Sequence, residues 1–561
     1  MIGEFSMKKK WAIATLAVCG LVLAGCSTGN SSKKEESKSS DTAAVAKKQV
    51  FNMVEGAEMP SADLSLATDE VSFSALNNCY EGLYRLDKDN KPIPAGAAEM
   101  AKVSEDGLTY TLKLREDAKW SNGDPVTAKD YVYGWQRTVD PKTASEYAYL
   151  FEPVANASDI TAGKKATSEL GIKAVDDYTL EIKLAKVTPY FDQLLAFPIF
   201  FPQNQKVVEK FGSDYATKSE NAVYNGPFTL EGFDGPGTDT EWSYAKNDTY
   251  WDAKNVKLDK INVSVIKESS TALNLFKDGQ SDQVTLNGEL AQQMANDEAY
   301  LTIPEASTFY LEFNQKDEKS PYRNANLRKA ISYAINRDSL AKQVLANGSI
   351  ATTNLMPEKF IYDPKTKKDF VKEAKSPVKY DKKKAKEYWE KAKKELGVNE
   401  VKLDILSSDS DVAKKMLEYL QGSLQENLPG LKVSVSPVPF SVRLDRSNKG
   451  DFDTVLSGWG ADYADASSFL DMFTIGNSYN RGNWNNEEYT KLVRAAATTD
   501  AADEEKRWDD FVEAEKIIMD EQGVVPIYQK AVAYMRNPKV KGIVNHPAGA
   551  KYDFKWTYIA K

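Results

Sequence analysis

The chain has 561 residues, a formal net charge of −9 and one histidine, His546. That length demands more than one hydrophobic core, and the acidic balance argues against a nucleic-acid partner. A single histidine excludes a His-rich metal site and leaves little for His-based acid–base chemistry.

At the N-terminus, Lys8 to Lys10 is basic and Trp11 to Leu23 is apolar, ending in Leu23-Ala24-Gly25-Cys26. The apolar run falls short of the roughly 20 residues of a membrane span. Residues 1–25 therefore read as an export signal. Residues 1–6 precede a natural-looking start at Met7 and read as vector-derived. Cys26 after Leu-Ala-Gly resembles the lipobox of bacterial lipoproteins, which implies acylation of its sulfur and cleavage just before it. Residues 26–48, rich in Ser, Lys, Glu and Ala, cannot bury enough surface to offset ordering and read as a flexible tether. Cys19 falls in the signal and Cys79 stands alone, so no intramolecular disulfide is expected.

Beyond the tether, Gln49 to Val54 alternates weakly and predicts a first strand. Asp69, Glu70 and Ser72 stand just ahead of Phe73, Leu76, Tyr80 and Leu83, which recur at helical spacing and predict a helix ending near Gly82. Tyr110, Leu112 and Leu114 alternate after the Asp106-Gly107 turn. Thr127, with Asp130 three places on, predicts the start of a helix over Ala128 to Arg137. Tyr178 to Leu184 is a second alternating strand. Leu327, Ile331, Ala334 and Ile335 share a helix face. Asp338 is the expected cap of the next helix, and Lys382 to Leu396 is a charged, solvated helix. Val401 to Ile405, a helix over Val412 to Leu428 and Val433 to Val435 form a strand–helix–strand unit, which favours parallel strands. Gly523 to Tyr528 reads as a strand returning to the first half.

The stretch Ser457-Gly458-Trp459-Gly460-Ala461-Asp462-Tyr463 follows the apparent strand end at Asp453 to Leu456. Gly458 and Gly460 let another backbone approach. Trp459 and Tyr463 offer flat apolar faces with a polar handle each, and Asp462 adds one negative charge. That combination suits an extended ligand with a positive end, such as a free peptide. The same residues also suit a plain strand-to-loop turn with a buried Trp and a capping Asp. No phosphate-loop, GxGxxG or GxSxG pattern is present, so binding is favoured over catalysis.

The run from Asp106 through Trp135, with Trp120-Ser121 and Pro125-Val126-Thr127-Ala128, resembles the peptide- and nickel-binding proteins of ABC importers, extracellular solute-binding protein family five. Glu81-Gly82-Leu83, Asn225-Gly226-Pro227-Phe228, Tyr250-Trp251-Asp252 and Leu327-Arg328-Lys329-Ala330 add to the resemblance over roughly residues 47–561. Ser457 to Tyr463 is most similar to the oligopeptide-binding branch. The resemblance implies an α/β, two-lobed, periplasmic-binding-protein-like fold of type II with an extra subdomain and the ligand enclosed between lobes. The expected division is a first lobe of 49–88, 213–304 and 523–561, an extra subdomain of 89–212 and a second lobe of 305–522.

By the same resemblance, Asp462 pairs with the peptide α-ammonium. Gly458 and Gly460 form one backbone-pairing edge, and Glu70 to Ser72 the facing one. Trp459, Tyr463, Phe440 and Tyr147 line side-chain pockets or pack in the core; Asn225 meets the ligand or holds its own Gly-Pro turn. Enteric members grip the peptide carboxylate with an arginine and a histidine at places matched here by Leu456 and Ala413, neither of which binds an anion. Looser control of ligand length is therefore expected.

The implied protein is a non-enzymatic, lipid-anchored receptor on the outer face of the bacterial membrane. It needs no cofactor and delivers partly hydrophobic oligopeptides, several residues long, to ABC permease subunits as a monomer. A pheromone receptor for signalling uptake has the same sequence features. Within the fold, a nickel chelate, haem or sugar is an alternative guest, and a surface hydrolase using carboxylate pairs is the alternative from another class.

Overall fold

The computed structural model describes residues 44–561. The export signal, Cys26 and the tether as far as residue 43 lie outside the described residues. The last tether residues are tied down: Ala46 N–H donates to Ile559 O at 2.9 Å and Lys561 N–H to Ala44 O at 2.8 Å. The tether therefore ends before residue 48, because its last backbone groups find partners at the C-terminus.

One eleven-stranded sheet runs through the molecule. Its strands are β1 (Val50–Glu55), β2 (Phe228–Glu231), β3 (Glu241–Lys246), β4 (Lys260–Val265), β5 (Gln283–Leu286), β6 (Tyr300–Phe313), β7 (Ile350–Ala351), β8 (Val401–Ser408), β9 (Leu431–Val438), β10 (Thr454–Gly460) and β11 (Val524–Arg536). The order is β9-β8-β10-β6-β11-β5-β1-β4-β3-β2, with β7 beside β11. β6 and β11 are the longest strands, at 14 and 13 residues, and carry the chain from one half of the sheet to the other. They pair antiparallel, but the register slips between Pro304 and Thr308 and again between Phe309 and Tyr310. Pro304 has no N–H to give, so a break in the ladder there is expected.

On one side, β1 pairs parallel with β4 and β5. On the other, β8 pairs parallel with β9 and β10. The helix α2 (Asp411–Asn427) connects β8 to β9, capped by the Ser410 hydroxyl and packed through Met416, Leu417, Leu420 and Leu424. A separate four-stranded sheet is built from Lys102–Val103, Thr109–Lys113, Thr179–Lys183 and Ile172–Asp176, with the helix Ala128–Val139 beside it. The Thr127 and Asp130 capping box opens that helix as the sequence predicts, and Trp120 and Trp135 fill the core beneath it.

Three local expectations are corrected. The helix α1 (Glu70–Cys79) starts at Glu70, because Asp69 accepts from Val71 and Ser72 N–H, and stops at Cys79 because Tyr80 turns extended. The strand at Asp453 continues to Gly460, since β6 pairs with it that far. Asn336, not Asp338, caps the helix that follows it, accepting from Ser339 N–H.

Candidate functional site

β10 owes its role to unequal neighbours. β6 pairs with it from Thr454 to Gly460, but β8 reaches only Thr454 and Val455. Ala461 N–H donates to Ala306 O, so odd-numbered residues face β6. From the opposite side, Ser407 Oγ donates to Leu456 O. Strand alternation therefore turns the N–H and C=O of Gly458 and Gly460 away from β6, toward a cleft that both residues line. Two reasons for glycine emerge. A Cβ at Gly458 would lie 2.6 Å from the Phe309 ring, and one at Gly460 would lie 3.1 Å from Glu70 Oε1. At Gly458 the close neighbour is thus an aromatic ring of β6, not another backbone.

The cleft between the halves holds a cavity of about 350 Å³. Its walls close on each other at Asp462. The Asp462 carboxylate accepts from Tyr147 Oη at 3.2 Å and Tyr149 Oη at 3.5 Å, both reaching from the extra subdomain. Its own N–H donates to Ser468 Oγ at 2.8 Å. Asp462 is 7% exposed, and it forms no ion pair among the described residues. Burial pushes its carboxyl up to about 8, against which the two tyrosine hydroxyls pull down. Trp459 lies flat along Tyr147, with centroids 6.3 Å apart at 14°, and donates through Nε1 to Ser468 O. Tyr479 closes edge-on against Trp459. A buried carboxylate among aromatic rings, with no ion-pair partner among the described residues, can accept a small cationic head.

A second cavity of about 530 Å³ lies behind this point and shares Glu305, Asp462, His546, Pro547 and Gly549 with the cleft. Tyr463 faces that second cavity, stacked on Tyr190 at 4.4 Å and 12°. Phe440, at the start of helix α3 (Phe440–Lys449), lines the cleft. Tyr147, Trp459, Gly458, Gly460, Asp462 and Phe440 thus come together.

Other sequence candidates do not join them in the expected way. Glu70 lines the cleft but begins a helix and is ion-paired with Lys530 at 2.8 Å, so Glu70 to Ser72 offers no strand edge. Ser72 is fully buried, and its hydroxyl accepts from Ser61 N–H. Asn225 sits away from the cleft lining, pinned at both ends to Glu81, accepting from its N–H at 3.0 Å and donating to its C=O at 2.9 Å. Cys26 lies outside the described residues. His546 lines both cavities and its Nδ1 meets Asn90 Oδ1 at 2.7 Å. Cys79 is a buried free thiol, pushed up by burial.

Several wall residues escaped the sequence reading. Tyr149 is one, although the Tyr147-Ala148-Tyr149 spacing carried a hint. Glu305, held by Lys530 at 2.9 Å and Lys551 at 3.0 Å, is another, and its partners come from remote stretches. Arg443 is the third; it lines the cleft from helix α3.

Comparison with known proteins places this geometry. Residues 91–481 match the model of bacterial extracellular solute-binding proteins, family 5 Middle. A dipeptide-binding protein of Lactococcus lactis subsp. cremoris (strain MG1363) is 38% identical, over 97% of this chain and 98% of the relative. The structure of Listeria monocytogenes OppA bound to peptide is 46% identical, covers 92% of this chain and 100% of its own, and superposes with a TM-score of 0.88. The pheromone receptor PrgZ, solved to show its mode of peptide binding, is 44% identical with the same coverage and a TM-score of 0.88. The chain belongs to the bacterial extracellular solute-binding proteins of family 5.

Proposed function

We propose that this protein binds oligopeptides in extended form between its lobes and delivers them intact to an ABC importer. The observation that carries the reading is Asp462: a buried carboxylate with no ion-pair partner among the described residues, two residues beyond a glycine edge that β8 does not reach. A peptide α-ammonium supplies the missing charge, and peptide N–H and C=O groups pair with Gly458 and Gly460 independently of sequence. Relatives named for dipeptide and oligopeptide binding support that guest class. Trp459 and Phe440 offer apolar contact to its side chains; Tyr147 and Tyr149 position the Asp462 carboxylate.

The lobe boundaries expected from sequence belong to this reading. They are supported by the separate sheet within 89–212 and the parallel unit β8–α2–β9 within 305–522. So do a single monomeric receptor, an outer-face location and a lipid anchor at Cys26, supported by the Leu-Ala-Gly-Cys sequence. The likeness to a pheromone receptor favours one second reading: the same site serving a signalling peptide.

Titration calorimetry with a short peptide and its N-acetylated form is the test. Acetylation removes one partner of an enclosed charge pair and is expected to cost about 2–5 kcal/mol of binding free energy. Asp462→Asn is expected to cost the same for the free peptide and to abolish the difference between the two forms. Equal affinity of both forms for the unmodified protein sinks the Asp462 role.

A further inference from the structure

The wall that meets the other end of the guest carries a charge too. Leu456 and Ala413 both line the cleft, and neither holds an anion. One residue along β10, however, Arg443 Nη1 donates to Ser457 Oγ at 3.4 Å. Arg443 is 9% exposed and lies over the Phe440 ring at 5.0 Å. Among the described residues that long contact is its only side-chain hydrogen bond, and it forms no ion pair. Arg481, also buried, is close enough to repel it, while Asp69 acts on it only weakly from across the cleft. Burial and Arg481 lower its pKa to about 10, so it keeps its charge at neutral pH. A largely buried guanidinium with five donors and one weak protein partner leaves its remaining donors open to the cleft, where an anion can take them. An arginine fork matches a carboxylate in two parallel hydrogen bonds.

Building on the peptide-binding reading above, we infer that Arg443 is a carboxylate subsite of the cleft, opposite in sign to Asp462 and set one short peptide length away from it. Ser457 and Asp462 are five positions apart, which at about 3.3 Å per extended residue is at most about 16 Å, since the strand ends at Gly460. A guest of about four residues spans that interval with its α-ammonium on Asp462 and its C-terminal carboxylate on Arg443. In a longer guest an acidic side chain at about the fourth position presents the same group. The anion partner that Leu456 and Ala413 cannot provide thus comes from a helix wall instead of the strand, and the site selects for a carboxylate where looser selection was expected.

The test uses the full exported protein and calorimetry with two peptide series. One is a set of apolar peptides of three to six residues, each as free acid and as C-terminal amide. The other is an amidated heptapeptide with Glu or Gln at positions three to five. In the unmodified protein, one free acid near four residues, one Glu heptapeptide, or both, is expected to bind about 30-fold or more tighter than its neutral counterpart. In Arg443→Gln the affinity ratio between acidic and neutral counterparts falls to about one, and Arg443→Lys restores part of it. A preference confined to the free acids identifies the C-terminus as the source; one confined to Glu identifies a side chain. Neutral and acidic members binding alike throughout the unmodified protein overturns the inference while leaving peptide binding intact. Failure of every peptide to bind overturns the functional reading itself.

Discussion

Asp462 is buried, and its hydrogen-bond partners are neutral: Tyr147 and Tyr149 at the carboxylate and Ser468 at its N–H. In an open, hydrated cleft its carboxyl returns to the ordinary range of about 3.9. Closed and empty, it stands at about 8 because burial disfavours the charge. The closed empty state therefore holds a proton that the open state releases. Below about pH 4 both states are protonated and closing carries no charge penalty. Between about pH 4 and 8 the penalty grows by about 1.4 kcal/mol per pH unit, and above 8 it is complete. The guest-free protein is thus expected to open as pH rises across that window. Small-angle scattering reads this as a growing radius of gyration, and a saturating free peptide should cancel it. Glu55 and Asp69 also line the cleft, raised by burial to about 7 and about 6, and titrate in the same range. The comparison with Asp462→Asn isolates the one carboxyl, and an identical swelling curve in that variant refutes the assignment. The same substitution keeps the acceptor for the tyrosine hydroxyls and removes the ionisable group, so the empty variant should melt no lower than the parent at pH 8.

β10 contributes at the scale of an element because β8 leaves one of its edges without a partner strand beyond Val455, only the Ser407 hydroxyl reaching Leu456 O. Its two glycines answer different constraints, and their substitutions should part company. Gly458→Ala drives a methyl into the Phe309 ring, which is itself stacked on Tyr528 at 4.8 Å and cannot swing away freely. A loss of about 1–3 kcal/mol of stability is expected in denaturant melts, relieved when Phe309→Leu is added. Gly460→Ala meets only the end of a Glu side chain, so stability should hold while peptide affinity falls, because the methyl crowds the edge where the guest lies. If Gly460→Ala leaves affinity untouched, the guest does not use that edge. Elements of this kind were legible from local pattern: the Thr127 box and the Gly-Trp-Gly-Ala-Asp run carry their cause within a dozen residues, and the β8–α2–β9 unit within one uninterrupted strand–helix–strand stretch. What could not be read was which strand lies next to β10. Its length to Gly460 depends on β6, about 150 positions earlier. The Arg443 wall was missed for the same reason, since nothing near Arg443 in the sequence says that Ser457 faces it. Glu70 to Ser72 failed differently. Phe73 and Leu76 do lie on the helix and Tyr80 and Leu83 fall past its end, while the Asp69 cap draws the helix back over the very residues expected to be extended.

For the molecule as a whole, closure depends on contacts that cross the cleft against strands that let it open. Only β6 and β11 carry the described chain between the halves, and their ladder is broken between Pro304 and Thr308. A ladder with missing bonds bends more easily than an intact one, so this is where hinge motion should concentrate. At the cleft mouth, Lys267 holds Glu58 on its own side at 2.9 Å and Asp409 on the opposite side at 3.0 Å. Asn448 Nδ2 donates across to Glu146 Oε1 elsewhere along the rim. Lys267 is 22% exposed and Asp409 26%, so the bridge is partly screened and should contribute about 1 kcal/mol, near the top of the range for surface pairs. Lys267 and Asp409 come from opposite sides of the cleft, so opening the cleft would separate them. Lys267→Ala should therefore lower the closed population about fivefold without touching the guest. Apparent affinity scales with the fraction of protein competent to close, so the peptide Kd should rise by the same factor. Because the bridge is screened by salt, the parent's affinity should fall between 0.05 and 0.5 M salt by more than the variant's, roughly as the Debye length shortens. Scattering should show a larger guest-free radius in the variant, returning to the parent value at saturating peptide. An unchanged Kd together with an unchanged salt dependence would mean that the bridge forms without holding the lobes together, and closure would then rest on the guest and the Asp462 cage alone.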